Sequence, residues 1–322
     1  MSSTFRTYIG LFGVAFFWGT SWAASKIGLQ ELSPIHLAVF RFILASLIFF
    51  CLLKINYKGY VIEKKDKIML WFLGFLGVVL YFYIQLTGLN LTTTVNSSIL
   101  IGTSPIFIMF LSTLLFKQEQ LTAGKIFGAF IAFIGIFLIF TGGKRISIGG
   151  STLIGDSIML ANSLVWSFFT VLGKDLVDKY DPFVVMAYIN IYGTILSLPI
   201  AFTPAFISSI KSASLATWCS TLYLAVFCSV YSFYMWYKGV KTIGASRTAM
   251  FNYLNPVVAV TIGILFLKEA WNVYTLLGGI LVFVGVYAAS AKYGSFNRRK
   301  RLKKNSQRLK FFDCFFIYQT LI

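Results

Sequence analysis

The chain has 322 residues, of which 58% are hydrophobic and 12% charged, and its mean hydropathy is +0.80. A chain this apolar is not a water-soluble globule, because it has too few polar side chains to cover so large a core. The net charge of +18 does not indicate nucleic-acid binding either, since Lys and Arg are spread over the short segments between apolar runs. The composition therefore predicts an integral membrane protein without a nucleic-acid partner.

Ten apolar runs follow one another along the chain. A bilayer core about 30 Å thick is crossed by roughly 20 helical residues, and the runs recur at that length. They lack the period-two alternation of barrel strands. We therefore expect ten transmembrane helices, at roughly residues 8–28, 33–53, 67–89, 94–116, 122–141, 152–172, 182–202, 214–238, 244–267 and 272–292.

The distribution of basic residues predicts the orientation of these helices. With the N-terminus inside the cell, 22 Lys and Arg residues fall in inner segments and five in outer segments, while Arg41 lies within a span. Basic residues are retained on the cytoplasmic side of a membrane. We expect a multi-pass protein of the plasma membrane with both termini in the cytoplasm.

The second half of the chain repeats the first. The matched pairs are Trp18 and Trp166, Lys26 and Lys174, Pro34 and Pro182, Pro105 and Pro256, Glu119 and Glu269, Gly128 and Gly278, and Gly135 and Gly285. Because each copy holds five spans, an odd number, the second copy enters the membrane from the opposite side. We expect an all-α protein of two inverted five-helix repeats, residues 1–141 and 142–292, with a cytoplasmic tail at 293–322.

These paired features resemble the EamA repeat of the drug/metabolite transporter superfamily. The resemblance rests on Phe17-Trp18-Gly19 with Lys26 and Arg41, on the Pro105 helix ending in Glu119, on the Gly128 and Gly135 helix, and on their second-half partners. It implies a ten-helix secondary transporter with a central cavity between the halves. It also implies export, but it names no substrate, since the family carries amino acids, other metabolites and toxic organic compounds.

Arg41 is the most unusual side chain within the predicted spans. An arginine near the bilayer centre costs roughly 2.5–3.5 kcal/mol on translocon scales, so a partner must compensate for it. That partner is either a substrate carboxylate or phosphate, or a structural acceptor such as a helix C-terminus. The EamA pattern often has an arginine here whatever the substrate, which favours the structural interpretation.

Further candidate contacts are aromatic and polar side chains away from the span ends. Mid-span Trp and Tyr residues do not belong to the interfacial belts, and Thr248, Asn252 and Asn255 follow helical spacing on one face. Such groups either line a cavity or bond neighbouring helices. The predicted substrate-binding residues are Trp18, Arg41, Tyr83, Trp166, Tyr234, Asn252 and Asn255.

Prolines and glycines suit helix bending and close helix packing. The predicted hinge and packing residues are Pro105, Pro256, Gly128, Gly135, Gly278 and Gly285. Three cysteines within predicted spans, Cys51, Cys219 and Cys228, are interpreted as small buried side chains.

The predicted spans hold no Asp or Glu near their middle. Proton-coupled cation exporters usually need such a carboxylate, so a carboxylate-bearing or neutral solute is favoured. The sequence contains no HExxH or GxSxG motif, and we expect neither an enzyme nor a metal or other cofactor. In the tail, eight basic residues lie between Arg298 and Lys310, which predicts binding to anionic lipid headgroups.

We therefore predict a secondary transporter, an exporter of a small organic metabolite that is amino-acid-like or otherwise carboxylate-bearing or neutral, working by alternating access. The alternatives are a multidrug or toxic-compound efflux carrier, a channel, and a non-transporting membrane scaffold. Saturable counterflow in liposomes separates a carrier from a pore. The oligomeric state is not indicated.

Overall fold

The structure, a computed structural model, describes residues 3–91, 100–116, 122–141, 153–255, 257–258 and 273–290. Within these ranges the chain is helical and holds no strand. The α-helices are α1 (Ser3–Leu29), α2 (Pro34–Asn56), α3 (Lys64–Gly74), α4 (Tyr81–Leu91), α5 (Ser104–Phe110), α6 (Ala123–Thr141), α7 (Leu153–Lys179), α8 (Pro182–Ala201), α9 (Pro204–Ser212), α10 (Leu215–Tyr223), α11 (Ser232–Ile243), α12 (Ala245–Met250) and α13 (Val273–Ser290). Glu119, Pro256, Glu269 and the tail 293–322 lie outside the described residues, and their predicted roles stay predictions.

Two pairs of these helices are continuous rods. A π-helical stretch, Phe75–Leu80, joins α3 to α4, and another, Leu224–Tyr231, joins α10 to α11. Among the described residues, five helical segments are long and apolar enough to cross a membrane, and shorter apolar helices lie within three more of the predicted spans. The fold is thus an all-α membrane architecture.

Contacts at the helix corners show that the two repeats are inverted. The Glu63 backbone N–H, just before α3, donates to the Tyr180 hydroxyl at the α7–α8 corner (3.2 Å). The Ser214 backbone N–H, just before α10, donates to Glu31 at the α1–α2 corner (2.7 Å). The α1–α2 corner and the α7–α8 corner therefore lie at opposite ends, and the matched helices α1 and α7 run in opposite directions.

Helices α6 and α13, which correspond to each other in the two repeats, pack through glycines. A Cβ added at Gly128 would meet the Gly285 carbonyl oxygen at 2.5 Å, and one added at Gly135 would meet the Gly278 carbonyl oxygen at 2.6 Å. The contact is reciprocal. Gly128 faces Gly285, which is the repeat counterpart of Gly135, and Gly135 faces Gly278, which is the counterpart of Gly128. All four glycines predicted to pack helices lie at this crossing.

Several boundaries differ from those expected. Helix α9 lies where a loop was expected, and α7 continues to Lys179, so that Lys174 is buried inside the helix and pairs with Asp178 (3.2 Å). Pro105 stands in the first turn of α5, after a turn at residues 102–103, rather than within a continuous helix. A proline at a helix start removes no intrahelical hydrogen bond.

The cysteine interpretation was wrong in two cases. Cys228 is buried, but Cys51 and Cys219 are exposed. The physical reason is that the outward faces of a membrane bundle meet lipid, so an apolar residue within a span need not face the protein interior.

Candidate functional site

Six aromatic side chains from four helices meet where the two repeats face each other. The ring centroids of Trp18 in α1 and its counterpart Trp166 in α7 lie 5.4 Å apart, in an edge-to-face arrangement. Trp236 lies 5.2 Å from Trp18, and Tyr81 lies 5.1 Å from Trp166. Such arrangements of aromatic rings are favourable. The central aromatic cluster consists of Trp18, Tyr81, Trp166, Phe169, Phe233 and Trp236.

The π-helical stretch between α10 and α11 holds Trp18 and Arg41 beside each other. The Trp18 indole N–H donates to the Cys228 carbonyl oxygen (3.0 Å), and Arg41 Nε donates to Ser229 Oγ (2.7 Å). The acceptors are consecutive residues of one widened turn. π-helical turns occur frequently at functional sites, and here one turn positions a residue of the aromatic cluster together with the buried cation.

Arg41 is 9% exposed as a residue, and its guanidinium lies over two aromatic rings, 5.4 Å from the Phe42 centroid and 5.2 Å from the Phe82 centroid. In the described part of the chain, no carboxylate lies within ion-pairing distance of it. A cation–π contact contributes about 0.5–2 kcal/mol, whereas burying a charge costs several. Arg41 therefore retains the capacity to bind an anion.

One face of α7 carries buried hydrogen-bonding groups that have no partner among the described residues. Both side-chain polar atoms of Asn162, and the indole nitrogen of Trp166, make no hydrogen bond within the described residues. Nearby, Ser163 Oγ bonds Thr103 Oγ1 (2.9 Å) and Ser167 Oγ donates to a backbone carbonyl of α5 (3.2 Å). A buried group left unpaired costs about 1–3 kcal/mol, and each such group requires an explanation, such as a bound water or ligand.

The structure brings Trp18, Arg41 and Trp166 together and leaves two predicted tyrosines apart from them. Tyr83 is 56% exposed and lines an apolar crevice between α2, α4 and α8. Tyr234 packs edge-on against Phe183 at the start of α8 (5.7 Å). The Lys238 ammonium group also lies over the Tyr234 ring, 5.4 Å from its centroid.

The two predicted asparagines lie beside α1. A Cβ added at Gly19 would meet the Asn255 backbone carbonyl oxygen at 2.8 Å. Asn255 therefore packs against α1 at the residue that follows Trp18. The Asn255 side-chain oxygen is buried without a partner in the described residues. Asn252 lies in a 3-10 turn, Phe251–Tyr253, and is half-buried. Thr248 instead bonds the backbone of its own helix (2.8 Å), so the three residues do not act as one polar stripe.

Sequence reasoning missed four residues of this region: Tyr81, Gln85, Asn162 and Ser229. One signal was available for Asn162, which precedes Trp166 by one helical turn and shares its face. Tyr81, Gln85 and Ser229 had no such signal, because their importance depends on which helix packs against them.

A comparison with protein families matches this chain twice to one model, the EamA-like transporter family, over residues 5–141 and 153–291. The matched segments correspond to the two repeats. Their combined length covers most of the chain.

Similar proteins and structures agree with this match. An uncharacterized transporter of Archaeoglobus fulgidus is 31% identical over 287 residues, covering 89% of this chain and 98% of the relative. The uncharacterized transporter YyaM of Bacillus subtilis is 29% identical, covering 88% and 93%. A solved crystal structure superposes with a TM-score of 0.75 at 18% identity, covering 88% of this chain and 96% of that one, which shows a shared fold.

Proposed function

Because the chain belongs to the EamA-like transporter family, we propose that it exports a small carboxylate-bearing solute by alternating access between its two inverted halves. The observation that carries this proposal is Arg41, a buried cation with no carboxylate partner in the described residues. A solute carboxylate would supply the missing charge. Trp18 and Trp166 would contribute the apolar wall on either side.

The position of the aromatic cluster supports a site between the halves. Trp18 and Trp166 come from different repeats and touch each other, so a relative movement of the repeats would change this contact directly. Binding and movement are then coupled at one place, as alternating access requires.

The proposed orientation places the α2–α3 connection, residues 57–63, in the cytoplasm of a cell whose plasma membrane holds the protein. Single cysteines introduced there should react with a membrane-permeant maleimide and resist an impermeant one in intact cells. Cysteines introduced between α8 and α10 should react with both reagents, because an impermeant maleimide reaches the outer surface. Labelling of residues 57–63 by the impermeant reagent would refute the orientation.

The transport proposal is tested by counterflow in proteoliposomes. Vesicles loaded with single unlabelled solutes, drawn from amino acids, other carboxylates, nucleosides, sugars and organic cations, are assayed for uptake of the same labelled solute. We expect exchange of a carboxylate-bearing solute, reduced by at least about tenfold in Arg41→Ala, because losing the partner of a buried charge costs more than 1.4 kcal/mol.

Arg6→Ala is the matched control, since Arg6 is exposed near the start of α1. It should exchange the solute at the wild-type rate. Exchange confined to organic cations would favour multidrug efflux instead, and folded Arg41→Ala protein with wild-type exchange would refute the role of Arg41. Non-saturable flux without counterflow would indicate a channel.

A further inference from the structure

We propose that Asn162, together with Trp166 and Gln85, forms a hydrogen-bonding subsite that selects solutes with a carboxamide group. This inference rests on the proposed function and names its solute more closely: a molecule with a carboxylate for Arg41 and a neutral amide about one helical turn away.

The packing register of α4 against α7 places Asn162 opposite Gln85. Gly88 contacts Met159, the Tyr81 ring contacts the Trp166 ring, and farther along Gly77 in the preceding π-helical stretch contacts Phe169. Helix α7 and the rod that contains α4 therefore pack antiparallel. Asn162 lies about one turn from both Met159 and Trp166, and Gln85 holds the matching position between Gly88 and Tyr81.

Several side-chain hydrogen-bonding groups between Gln85 of α4 and Asn162 of α7 have no hydrogen-bond partner in the described residues. The Gln85 amide nitrogen donates to the Tyr81 hydroxyl (3.2 Å), while the amide oxygen and nitrogen of Asn162 and the indole N–H of Trp166 have no partner in the described residues. Asn162 is fully buried and Trp166 is 4% exposed. The unused set comprises one acceptor and two kinds of donor.

A carboxamide complements this set. Its N–H would donate to the Asn162 oxygen, and its carbonyl oxygen, with two lone pairs, would accept from the Asn162 amide and from the Trp166 indole. A carboxylate would leave the Asn162 oxygen facing another acceptor. An apolar group would leave all three unpaired, and a site built to hydrogen-bond a group rejects analogues that lack it.

The spacing of Phe82 and Gln85 along α4 guides the choice of a probe solute. The guanidinium lies over the Phe82 ring, 5.2 Å from its centroid, and Gln85 follows Phe82 by about one turn of α4, a rise of about 5 Å. In extended glutamine, the carboxylate carbon and the carboxamide carbon are also about 5 Å apart. We therefore take glutamine as the probe.

The experiment compares dissociation constants of glutamine and its apolar isostere homoleucine, measured by thermal shift on the purified protein. The wild type should bind glutamine about tenfold more tightly than homoleucine, as expected for one or two additional hydrogen bonds. In Asn162→Leu the ratio should fall to about one, with homoleucine binding retained as evidence of a folded site. Trp166→Phe, which removes only the N–H donor and part of one ring, should lower the ratio by a smaller factor.

Asn190→Leu is the matched control, because Asn190 is also a fully buried asparagine but lies on α8, where its amide nitrogen bonds the Met186 carbonyl oxygen (2.9 Å). It should keep the wild-type preference. An unchanged preference in folded Asn162→Leu would refute the subsite while leaving the role of Arg41 intact. Binding of neither probe to the wild type would refute the carboxamide class, and the wider counterflow panel would then decide the proposed function separately.

Discussion

The α1–α2 corner and the α7–α8 corner are counterparts in the two repeats, and they carry side chains of opposite charge at the matched position. Glu31 at the α1–α2 corner and Lys179 at the α7–α8 corner are counterparts, and each reaches the start of a matched helix. Glu31 accepts a hydrogen bond from the Ser214 backbone N–H before α10 (2.7 Å). Lys179 instead pairs with Glu63 (2.7 Å) and Asp66 (2.6 Å) at the start of α3.

The helix dipole explains the difference. The N-terminus of a helix carries a partial positive charge, so a carboxylate binds there directly whereas an ammonium group is repelled. At the α3 end, the acidic residues Glu63 and Asp66 stand between the helix start and Lys179. The repeat thus fixes where a corner meets a helix, while the local charges determine how the contact is made.

The Glu31 end and the Lys179 end also differ in how aromatic and charged contacts are combined. At the Glu31 end, Phe206 of α9 is buried and stacks on Phe40 of α2 (4.6 Å). At the Lys179 end, Tyr57 donates to Asp181 (3.2 Å), and burial together with the Asp181 charge raises the pKa of Tyr57 to about 12, so this donor keeps its proton. Aromatic rings also stack at the Lys179 end, where Tyr57 packs on Phe183 (5.4 Å), but in the described part of the chain ion pairs occur at this end and not at the Glu31 end.

The largest effect is expected from Phe206→Ala, which should destabilise the protein by about 3 kcal/mol through loss of a buried ring. Thermal unfolding in detergent and hydrogen exchange over residues 202–214 measure it. Phe202→Ala is the control, since Phe202 is 68% exposed. Equal losses in the two variants would contradict the assignment of this end to ring packing.

A charge exchange at the other end should have the next largest effect. Lys179→Glu sets a third carboxylate beside Glu63 and Asp66, and we expect a lower melting temperature and faster hydrogen exchange in residues 57–63. Adding Glu63→Ser and Asp66→Thr reproduces Ser214, just before α10, and Thr217, in its first turn. This triple variant should regain most of the lost stability. Failure of this triple variant to recover would show that more than the corner charges separates the two ends.

A smaller effect is expected from salt. Raising NaCl to 1 M shortens the screening length to about 3 Å, which weakens the partly exposed ion pairs of Lys179 and leaves ring packing unchanged. Hydrogen exchange should accelerate about twofold to threefold in residues 57–63, since surface ion pairs are worth at most about 1 kcal/mol, and stay constant in residues 202–214. Equal acceleration at both ends would contradict the comparison.

The smallest effect is expected from acid. Hydrogen bonds from Lys179 and Lys65 lower the pKa of Glu63 from its ordinary value of 4.5, and those from Ser214 and Thr217 lower the pKa of Glu31. A carboxylate with a lowered pKa stabilises the fold above its ordinary value, and this contribution is lost as pH falls through the lowered pKa. Protection against hydrogen exchange, corrected for the pH dependence of the intrinsic exchange rate, should therefore fall at both ends below pH 4.5, and Glu31→Gln should abolish this loss of protection at its own end only.

The sequence predicted the repeats and their inversion, because these follow from hydropathy and the counting of spans. It also drew attention to Trp18, Arg41 and Trp166, whose contact with a substrate stays a prediction. Asn162 could have been found from its position one helical turn before Trp166, whereas the contacts of Tyr81 with Trp166 and of Ser229 with Arg41 depend on which helices pack together, which no local pattern encodes.

Tyr234 was assigned to the site on regular helical spacing. The spacing holds for Tyr223, Phe227 and Tyr231, whose rings all contact Phe17 of α1, whereas the Tyr234 ring packs against Phe183 of α8.

The reciprocal glycine crossing of α6 and α13 has a consequence for how the chain can evolve. A side chain at Gly128 would clash with the Gly285 carbonyl oxygen and with the backbone nitrogen and Cβ of Ala289, not with its own counterpart Gly278, and two of these three atoms belong to the backbone. No second substitution at the facing position can therefore relieve the first. If Arg41 and Asn162 bind the solute as we propose, substitutions around them change what is carried, whereas at this crossing the two backbones themselves are in contact and leave selection no neighbouring solution.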